Sequence, residues 1–278
     1  MLYTDPAAAS KGKLSAKMIE LHSHLLYGMD DGAGDLDEAL RMLADYAAQE
    51  VTEIACTPHL FPLTFTSHKT LQTFLDQRDE TIAAIQAAAE ERRIAITLRP
   101  GTEMMLSSTM LPFVKSPEIA ARLTLNGGSY ILVELPQLLS GGIRMLDGLL
   151  FELRLAGLLP ILAHPERIAH NEGVLPALKE WVKSGHVLLQ ANAGHLVEDP
   201  RLTPERQARY ARRRAVVRQM IDAGLIQVIA SDAHDPTYRP PQHQLAFAEV
   251  KRLYSEEKAW RFLTDNPRRI LLDEPIVG

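Results

Sequence analysis

Several features that define other classes of protein are scarce or absent in this chain of 278 residues. Its single cysteine, Cys56, excludes an internal disulfide and suits a reducing compartment, so a cytoplasmic location is expected. No apolar run reaches the roughly 18 residues that a transmembrane helix needs. Residues 1–17 lack the apolar core of a secretory signal. The net charge is −5, whereas general nucleic-acid binding usually shows as a basic domain.

The chain is instead rich in short apolar runs that alternate with helical periodicity. Such runs occupy residues 18–22, 52–59, 94–103, 130–136, 159–167, 186–194 and 226–234. Seven strand–helix units in a row predict an α/β fold, with the strands arranged as a distorted, seven-stranded (β/α)7 TIM-like barrel. We expect a single domain over residues 18–278, preceded by an N-terminal extension over residues 1–17.

Ionisable side chains gather where the predicted strands end, which is where barrel enzymes place their active sites. The residues at these ends are His22, His24, His59, Glu103, His164, Asn192, Asp232 and His234. A lone histidine there is usually a hydrogen-bonding loop residue, and a lone His-x-His pair is often accidental. The recurrence at successive strand ends favours a metal site.

The spacing of these residues fits metal binding. Residues two apart in a strand point to the same face, so His22 and His24 can reach one ion, and so can Asp232 and His234. Imidazole and carboxylate together suit a first-row divalent cation. There are more ligands than one ion needs, so two or three ions are expected, with Glu103 as a candidate bridge.

With these residues and the segments quoted below, the sequence resembles the polymerase-and-histidinol-phosphatase (PHP) phosphoesterases. Within them it resembles the bacterial tyrosine phosphatases of capsule and exopolysaccharide operons. The resemblance covers residues 18–273. It is carried by the motifs IELHSHLLYGMDDG, ACTPH, GTEM, LVELP, ILAHPER, LLQANAGH, VIASDAHDPTYRPP and DNPRRIL. One departure is Glu20, which stands where the family usually has aspartate.

The resemblance implies three metal sites in this chain. One would use His22, His24, Glu103 and Asp232, a second Glu103 with His164, and a third Asp31, His59 and His234. Asp31 would take a place that other branches give to histidine, while Asp30 would serve the turn or orient a ligand. The expected cofactor is Mn²⁺, with Fe and Zn as alternatives.

Two arginines follow the expected ligands by a few residues. The guanidinium groups of Arg167 and Arg239 can each bind two phosphate oxygens at once. The resemblance favours this role over salt bridges to loop carboxylates. We therefore expect Arg167, Arg239 and Asn192 to bind substrate, and His164, Arg167, Asp232 and Arg239 to act in catalysis.

The implied activity is that of a protein-tyrosine phosphatase, a metal-dependent phosphoric monoester hydrolase. A metal-activated water would attack the phosphotyrosine of a bacterial tyrosine autokinase in polysaccharide biosynthesis. Neither nucleic acid nor direct membrane insertion is expected, and the oligomeric state, a homo-oligomer included, stays open. The alternatives are a small-molecule phosphatase such as histidinol phosphatase and a non-catalytic metal-binding module.

Three further segments bear on function. Cys56 lacks the anion-binding loop and arginine of a thiolate phosphatase, so we expect a buried strand residue. Residues 206–220 hold six arginines, which fit either a solvated helix or a docking surface for an acidic partner. Residues 61–68 and 136–143 are expected to wall the barrel mouth, with Phe61 and Phe65 against the substrate ring.

Overall fold

Short parallel strands alternate with helices in the computed structural model, which describes residues 17–136, 142–198 and 203–276. The strands are β1 (Met18–Ser23), β2 (Val51–Cys56), β3 (His59–Leu60), β4 (Thr97–Pro100), β5 (Glu103–Met105), β6 (Tyr130–Glu134), β7 (Leu159–Ala163), β8 (Leu188–Asn192) and β9 (Val228–Ala230). They form two parallel sheets, with the orders β1-β2-β4 and β3-β5-β6-β7-β8-β9.

Two of the expected strands are interrupted, and at each interruption the chain moves from one sheet to the other. Residues 52–59 become β2 and β3, and residues 94–103 become β4 and β5. Pro58 has no N–H to continue the ladder. At Gly101 a Cβ would lie 2.9 Å from Leu125 Cδ2 and 3.1 Å from Thr57 Cγ2, so a larger residue would require these side chains to shift. Seven strand positions remain around the axis, and the expected distorted seven-stranded barrel is confirmed.

The first and last strand positions meet along what we term the β1–β9 seam, defined by residues 22–24 and 231–233. A single parallel bridge pairs Ser23 with Ala233. The His24 N–H donates to Ala233 O at 2.9 Å, and the Asp232 N–H donates to His22 O at 2.9 Å. The first and last strand positions are therefore joined by a few hydrogen bonds at their C-terminal ends, without a full ladder.

Helices cover the outside of the strands. They are α1 (Leu36–Ala48), α2 (His68–Glu91), α3 (Leu111–Val114), α4 (Pro117–Leu123), α5 (Gly142–Leu155), α6 (Val174–Lys183), α7 (Pro204–Asp222), α8 (His243–Leu253), α9 (Glu256–Trp260) and α10 (Asn266–Leu271). Side chains cap several N-termini: Asp35 accepts from Glu38 N, and Ser67 exchanges bonds with Thr70. No helix in these described ranges is long and apolar enough to cross a membrane.

The strands are buried on both faces, as expected for a parallel sheet under helices. Ile19 and Leu21 of β1 belong to a smaller cluster with Leu132, whereas Met18 belongs to the larger cluster that the helices cover. Because apolar side chains fill the strands' middles, the buried polar groups concentrate at the C-terminal ends of the strands.

Candidate metal centre

The strand ends bring all eight expected metal ligands into one cluster at the barrel mouth. They are His22 and His24 on β1, Asp31 in the following loop, His59 on β3, Glu103 on β5, His164 after β7, and Asp232 and His234 after β9. Six of them are at most 2% exposed, and His59 is partly buried. Asp31 differs, because its side chain is 67% exposed at the rim.

Four ligand atoms lie at distances that suit a single cation. His22 Nε2 lies 3.2 Å from His24 Nε2, 3.2 Å from Glu103 Oε2 and 3.4 Å from Asp232 Oδ1. His24 Nε2 lies 3.3 Å from each of these two oxygens. Atoms at the corners of a tetrahedron about 2.0–2.1 Å from its centre are about 3.3–3.4 Å apart. The four residues expected to share a site therefore have the spacing of a coordination shell.

The two carboxylate oxygens of this group lack ordinary partners. Glu103 Oε2 and Asp232 Oδ1 are buried and accept no hydrogen bond of good geometry from the described residues, although His59 Nδ1 lies 2.8 Å from the first oxygen and His24 Nε2 lies 3.3 Å from the second. Buried carboxylate oxygens left in this state are costly. A shared cation would satisfy both, so the donor set fits a metal ion.

The histidine rings are oriented by hydrogen bonds on the nitrogen that faces away from the cluster. His22 Nδ1 lies 2.9 Å from Gln190 Oε1, and His24 Nδ1 lies 2.7 Å from Asp30 Oδ2. His234 Nδ1 lies 3.0 Å from the carbonyl oxygen of Asp232. With the proton on Nδ1, each Nε2 keeps its lone pair toward the cluster, which is the usual arrangement around a metal ion. Asp30 thus orients the ring of His24.

The remaining expected ligands lie around the same centre. His164 Nε2 is 2.9 Å from Glu103 Oε1. Asp31 Oδ1 is 3.5 Å from His59 Nε2 and 3.4 Å from His234 Nε2. Candidate ligand atoms lie within 4.8 Å of one another in three groups: His22, Glu103, His164 and Asp232; His24, Asp31, His59 and His234; and His59, Glu103 and Glu134. Glu103 belongs to two groups, which supports its expected role as a bridge.

Glu134 is a member of the cluster that the sequence analysis missed. It ends β6, it is 9% exposed, and its Oε1 lies 3.9 Å from His164 Nε2. Burial and the neighbouring Glu103 raise the pKa of its carboxyl. The strand-end rule that identified Glu103 would also have identified Glu134, since the motif LVELP places it at the end of a predicted strand.

The electrostatics of the centre favour an anionic Glu103 and neutral outer histidines, whereas the Glu103 and Asp232 carboxylates raise the pKa of His22 and His24 against the effect of burial. Burial alone would raise the pKa of Glu103, but the adjacent imidazoles hold that pKa well below its usual range. Burial and then the Arg167 guanidinium lower the pKa of His164 to about 4. Burial and the His24 ring lower the pKa of His234 to about 2. A neutral imidazole is the form that binds cations.

The two expected phosphate-binding arginines meet at Asp232. Arg167 Nη2 donates to Asp232 Oδ2, and Arg239 Nη2 donates to the same oxygen at 2.9 Å. Asn192 Nδ2 donates to it as well, at 2.8 Å. The salt-bridge alternative is therefore realised for both arginines. Their side chains are nevertheless 19% and 29% exposed, so they also face the mouth.

Two residues of the centre have left-handed backbone conformations. His164 has φ 34° and Asp232 has φ 55°. Residues other than glycine adopt this region at a cost, and such positions cluster at functional sites. At both positions the chain leaves a strand and turns sharply, which directs the side chain into the cluster.

A buried polar network supports the β1–β9 seam beneath the cluster. Glu20 Oε1 accepts from His22 N at 2.6 Å, and its Oε2 accepts from Ser231 N at 2.9 Å. Tyr46 Oη lies 2.8 Å from Ser231 Oγ. Glu20 therefore joins the strand that carries His22 to the turn that carries Asp232.

A second network extends from the centre toward α7. Glu166 Oε1 accepts from Asn192 N at 3.0 Å and lies 2.7 Å from His195 Nδ1. His195 Nε2 lies 3.0 Å from Arg213 Nη1. The pairings of His195 with Glu166 and Arg213 join residues on different elements, so no local sequence pattern reveals them.

Phe61 and Phe65, both expected at the barrel mouth, differ in their exposure to solvent. Phe61 is 43% exposed, and its ring lies 4.9 Å from that of His59. The expectation for Phe65 is wrong, because that residue is 8% exposed and packs against Phe74 in the core. Residues 137–141, in the second segment expected to wall the mouth, lie outside the described residues.

Cys56 is a core residue, as expected. It is fully buried in β2, and burial raises the pKa of its thiol to about 12. His243 is likewise buried, at the start of α8, with Nε2 3.4 Å from Glu20 Oε2.

Comparison with known proteins gives consistent matches over nearly the whole chain. The profile of one family, described as "Capsular polysaccharide synthesis, CpsB/CapC", matches residues 18–272. Tyrosine-protein phosphatase CpsB of Streptococcus pneumoniae is 29% identical over 259 residues, covering 93% of this chain and all of that protein. Tyrosine-protein phosphatase YwqE of Bacillus subtilis (strain 168) is 27% identical, with 93% of each chain covered.

Solved structures agree with the sequence matches. One matching chain comes from the crystal structures of YwqE from Bacillus subtilis and CpsB from Streptococcus pneumoniae, described as "unique metal-dependent tyrosine phosphatases". It has a TM-score of 0.76 at 25% identity. The structural match covers 94% of this chain and 96% of the matched chain. The lactonase Lmo2620 of Listeria monocytogenes, with a TM-score of 0.58 at 12% identity, shares the fold alone.

Proposed function

Because the chain belongs to the CpsB/CapC family of capsular polysaccharide synthesis, we propose that it is a metal-dependent phosphatase that hydrolyses phosphotyrosine in proteins. Its relatives are named tyrosine-protein phosphatases and match along almost their entire length. The structural neighbour at a TM-score of 0.76 is described as a metal-dependent tyrosine phosphatase.

One observation carries the proposal. His22 Nε2 and His24 Nε2 lie 3.2 Å from each other and 3.2–3.4 Å from Glu103 Oε2 and Asp232 Oδ1 at the barrel mouth, beside two arginines. When bound there, divalent cations would activate a water molecule and neutralise the charge of a phosphate monoester.

The residues of the chain have distinct proposed tasks. His22, His24, Glu103 and Asp232 hold the first ion, His164 with Glu103 the second, and Asp31, His59 and His234 the third. Glu134 lies close enough to join them. Gln190 and Asp30 keep the ring nitrogens of His22 and His24 directed at the centre.

Arg167, Arg239 and Asn192 are proposed to bind the phosphate. Each already donates one hydrogen bond to Asp232 Oδ2, which fixes its position. A second N–H of each guanidinium can then donate to a phosphate oxygen. The phenol of an unperturbed tyrosine side chain has a pKa of about 10, so its phenolate leaves more readily than an aliphatic alkoxide and needs little help from an acid.

The finer features of the function are also proposals. Mn²⁺ suits the mixed imidazole and carboxylate ligands. The substrate would be the phosphotyrosine segment of a bacterial tyrosine autokinase, and the single buried cysteine is compatible with the cytoplasm. Residues 18–278 would form one catalytic domain.

The test compares two phosphate esters. Apo protein reconstituted with Mn²⁺ should release phosphate from a phosphotyrosine peptide faster than from histidinol phosphate, as measured by kcat/KM for each. A preference for histidinol phosphate would favour the small-molecule alternative. No phosphate release from either ester, with ions bound, would leave the non-catalytic alternative.

A further inference from the structure

The arginines of α7 differ in whether a carboxylate balances their charge. Arg214 lies 3.3 Å from Glu198, and Arg218 lies 2.8 Å from Glu249. Arg213 lies instead against His195, with its guanidinium 5.9 Å from the Tyr210 ring. Within the described parts of the chain, Arg213 makes no ion pair, and the exposed Arg209 makes none either. The nearby buried carboxylate of Glu166 acts on Arg213 only across His195, whose Nδ1 lies 2.7 Å from Glu166 Oε1 and whose Nε2 lies 3.0 Å from Arg213 Nη1.

These two arginines lie on the same face of the helix. Arg209 and Arg213 are four residues apart, so their side chains are neighbours, and Tyr210 lies between them. Arg212 is rotated by about 100° from Arg213 along the helix and points elsewhere. The face with Arg209, Tyr210 and Arg213 is named the arginine face below.

The arginine face borders the proposed phosphate site. Arg167 and Arg239 line one cavity together with His195 and Tyr210. Arg213 contacts His195 directly, at 3.0 Å. A chain segment that leaves this cavity over Tyr210 would pass the arginine face at once.

The cations at this place repel one another. Burial, then the charges of Arg167 and Arg209, lower the pKa of Arg213. The chain as a whole has a net charge of −5, so the arginine face is a local exception. An anion held there would relieve the repulsion and gain charge-assisted hydrogen bonds.

We propose that Arg209 and Arg213 bind aspartate or glutamate side chains next to the phosphotyrosine, so that the enzyme selects acidic phosphotyrosine segments. This inference rests on the proposed function and names its substrate class. Arginines one turn apart on a helix are separated by about 6 Å along its axis. Alternate side chains of an extended peptide are about 6.6 Å apart, so two acidic residues spaced by one can match both arginines.

The experiment uses two peptides that differ only in charge. Each carries one phosphotyrosine, flanked by Asp at alternate positions in the first and by Asn in the second. The Mn²⁺-loaded wild type should hydrolyse the acidic peptide with about tenfold higher kcat/KM, the effect of one hydrogen bond to a charged group. High salt should reduce this ratio, since the arginine face is open to solvent.

Variants of α7 distinguish the effect of the arginine face on selectivity from the effect of the rest of the helix. Arg213→Gln and Arg209→Gln should each bring the ratio closer to one, and Arg209→Glu should favour the Asn peptide. Arg212→Gln removes the same charge from another face and should keep the wild-type ratio. Because Arg209 is exposed and does not contact His195, its variants test the surface without disturbing the contact between His195 and Arg213.

The outcomes distinguish this inference from the proposed function. Equal kcat/KM of the wild type on the two peptides, or an equal loss of preference in Arg212→Gln, would overturn the acidic selectivity alone. Failure of the wild type to hydrolyse either phosphotyrosine peptide would overturn the proposed function itself.

Discussion

At the scale of single residues, Asp232 shows how one side chain serves two parts of the centre. Its Oδ2 accepts hydrogen bonds from Arg167, Arg239 and Asn192, while its Oδ1 faces His22 and His24 without a hydrogen-bond partner among the described residues. Oδ2 therefore fixes the residues that are proposed to bind substrate, and Oδ1 remains available to a cation. Removing this carboxylate would therefore disturb both functions at once.

Gln190 tests the far side of a proposed ligand, since its Oε1 lies 2.9 Å from His22 Nδ1, while its Nε2 donates to Asn192 Oδ1 at 3.2 Å. Gln190→Leu removes the acceptor that orients His22, and residues in such positions typically contribute about 10–100-fold to metal affinity. Titration of apo protein with Mn²⁺ should show a loss of this size, whereas His22→Ala should lose both the first ion and activity.

The control for Gln190 is Gln219→Ala, at an exposed position of α7. It should bind Mn²⁺ like the wild type. Unchanged affinity in Gln190→Leu would mean that His22 is not a ligand at Nε2.

Arg239→Ala tests the phosphate-binding assignment. It should cost about 1.5–3 kcal/mol of transition-state stabilisation, the range for a hydrogen bond to a charged group. The loss should be seen in kcat/KM for a phosphotyrosine peptide and for p-nitrophenyl phosphate alike, since both carry the same phosphate. Wild-type kinetics on the peptide would contradict the assignment.

Cys56→Ser should leave activity nearly unchanged. The thiol is fully buried and its pKa is raised to about 12, so it does not supply a thiolate at neutral pH. Incubation of the native wild type with iodoacetamide should likewise cause no inhibition. A hundredfold loss in a folded Cys56→Ser variant would instead indicate a cysteine mechanism.

Residue types and spacing were enough to identify most of the cluster, but they could not supply its pairings. His-x-His and Asp-x-His were recognised because alternate strand residues share a face. The contacts of His22 with Gln190 and of His195 with Arg213 span 168 and 18 residues, and no local pattern encodes them. Glu134 carried the same strand-end signal as Glu103 and was simply not used.

At the scale of elements, the order of strands and long helices followed from periodicity, whereas the breaks within strands did not. The strands around residues 57–58 and 101–102 are interrupted where the chain changes sheets, which is a tertiary effect. The short helices α3 and α4, of four and seven residues, are too brief to show a helical period. Phe65 was misplaced for a related reason, because its burial depends on Phe74 of α2.

The loop after β3 is the element that should distinguish substrates. Phe61 precedes the short helical turn Pro62–Thr64 and lies beside His59 with 43% of its surface exposed. Phe61→Ala should therefore raise KM for a phosphotyrosine peptide more than KM for a small alkyl phosphate, which has no ring to pack on it.

Leu63→Ala is a suitable control for Phe61→Ala, because Leu63 lies in the same loop and is 92% exposed. It should leave both KM values close to those of the wild type. An equal effect of Phe61→Ala on the two substrates would exclude a ring contact.

At the scale of the whole molecule, the proposed ions join the two sides of the β1–β9 seam. His22 and His24 lie on one side, and Asp232 and His234 on the other. The described backbone provides only one bridge and two hydrogen bonds there. Cations shared across the seam would therefore contribute to holding the barrel closed.

Removal of metal should accordingly lower the melting temperature. An ion present at 100–1,000 times its Kd stabilises the native state by about 3–4 kcal/mol, and about 1 kcal/mol corresponds to roughly 2–4 °C for a chain of this size. The melting temperature after dialysis against EDTA should thus fall by several degrees and recover with Mn²⁺. A chelator-independent melting temperature would argue against ions at the seam.

The seam also sets the timing of events during synthesis of the chain. Ser231 N donates to Glu20 Oε2 across 211 residues of sequence, so β1 leaves the ribosome long before its partner exists. At about 5–20 residues per second, the outer edge of β1 stays unpaired for roughly 10–40 s. A chain that stops before β9 therefore exposes a strand edge and lacks Asp232 and His234, two of the eight proposed metal-binding groups, so ions can be captured fully only when translation is nearly complete.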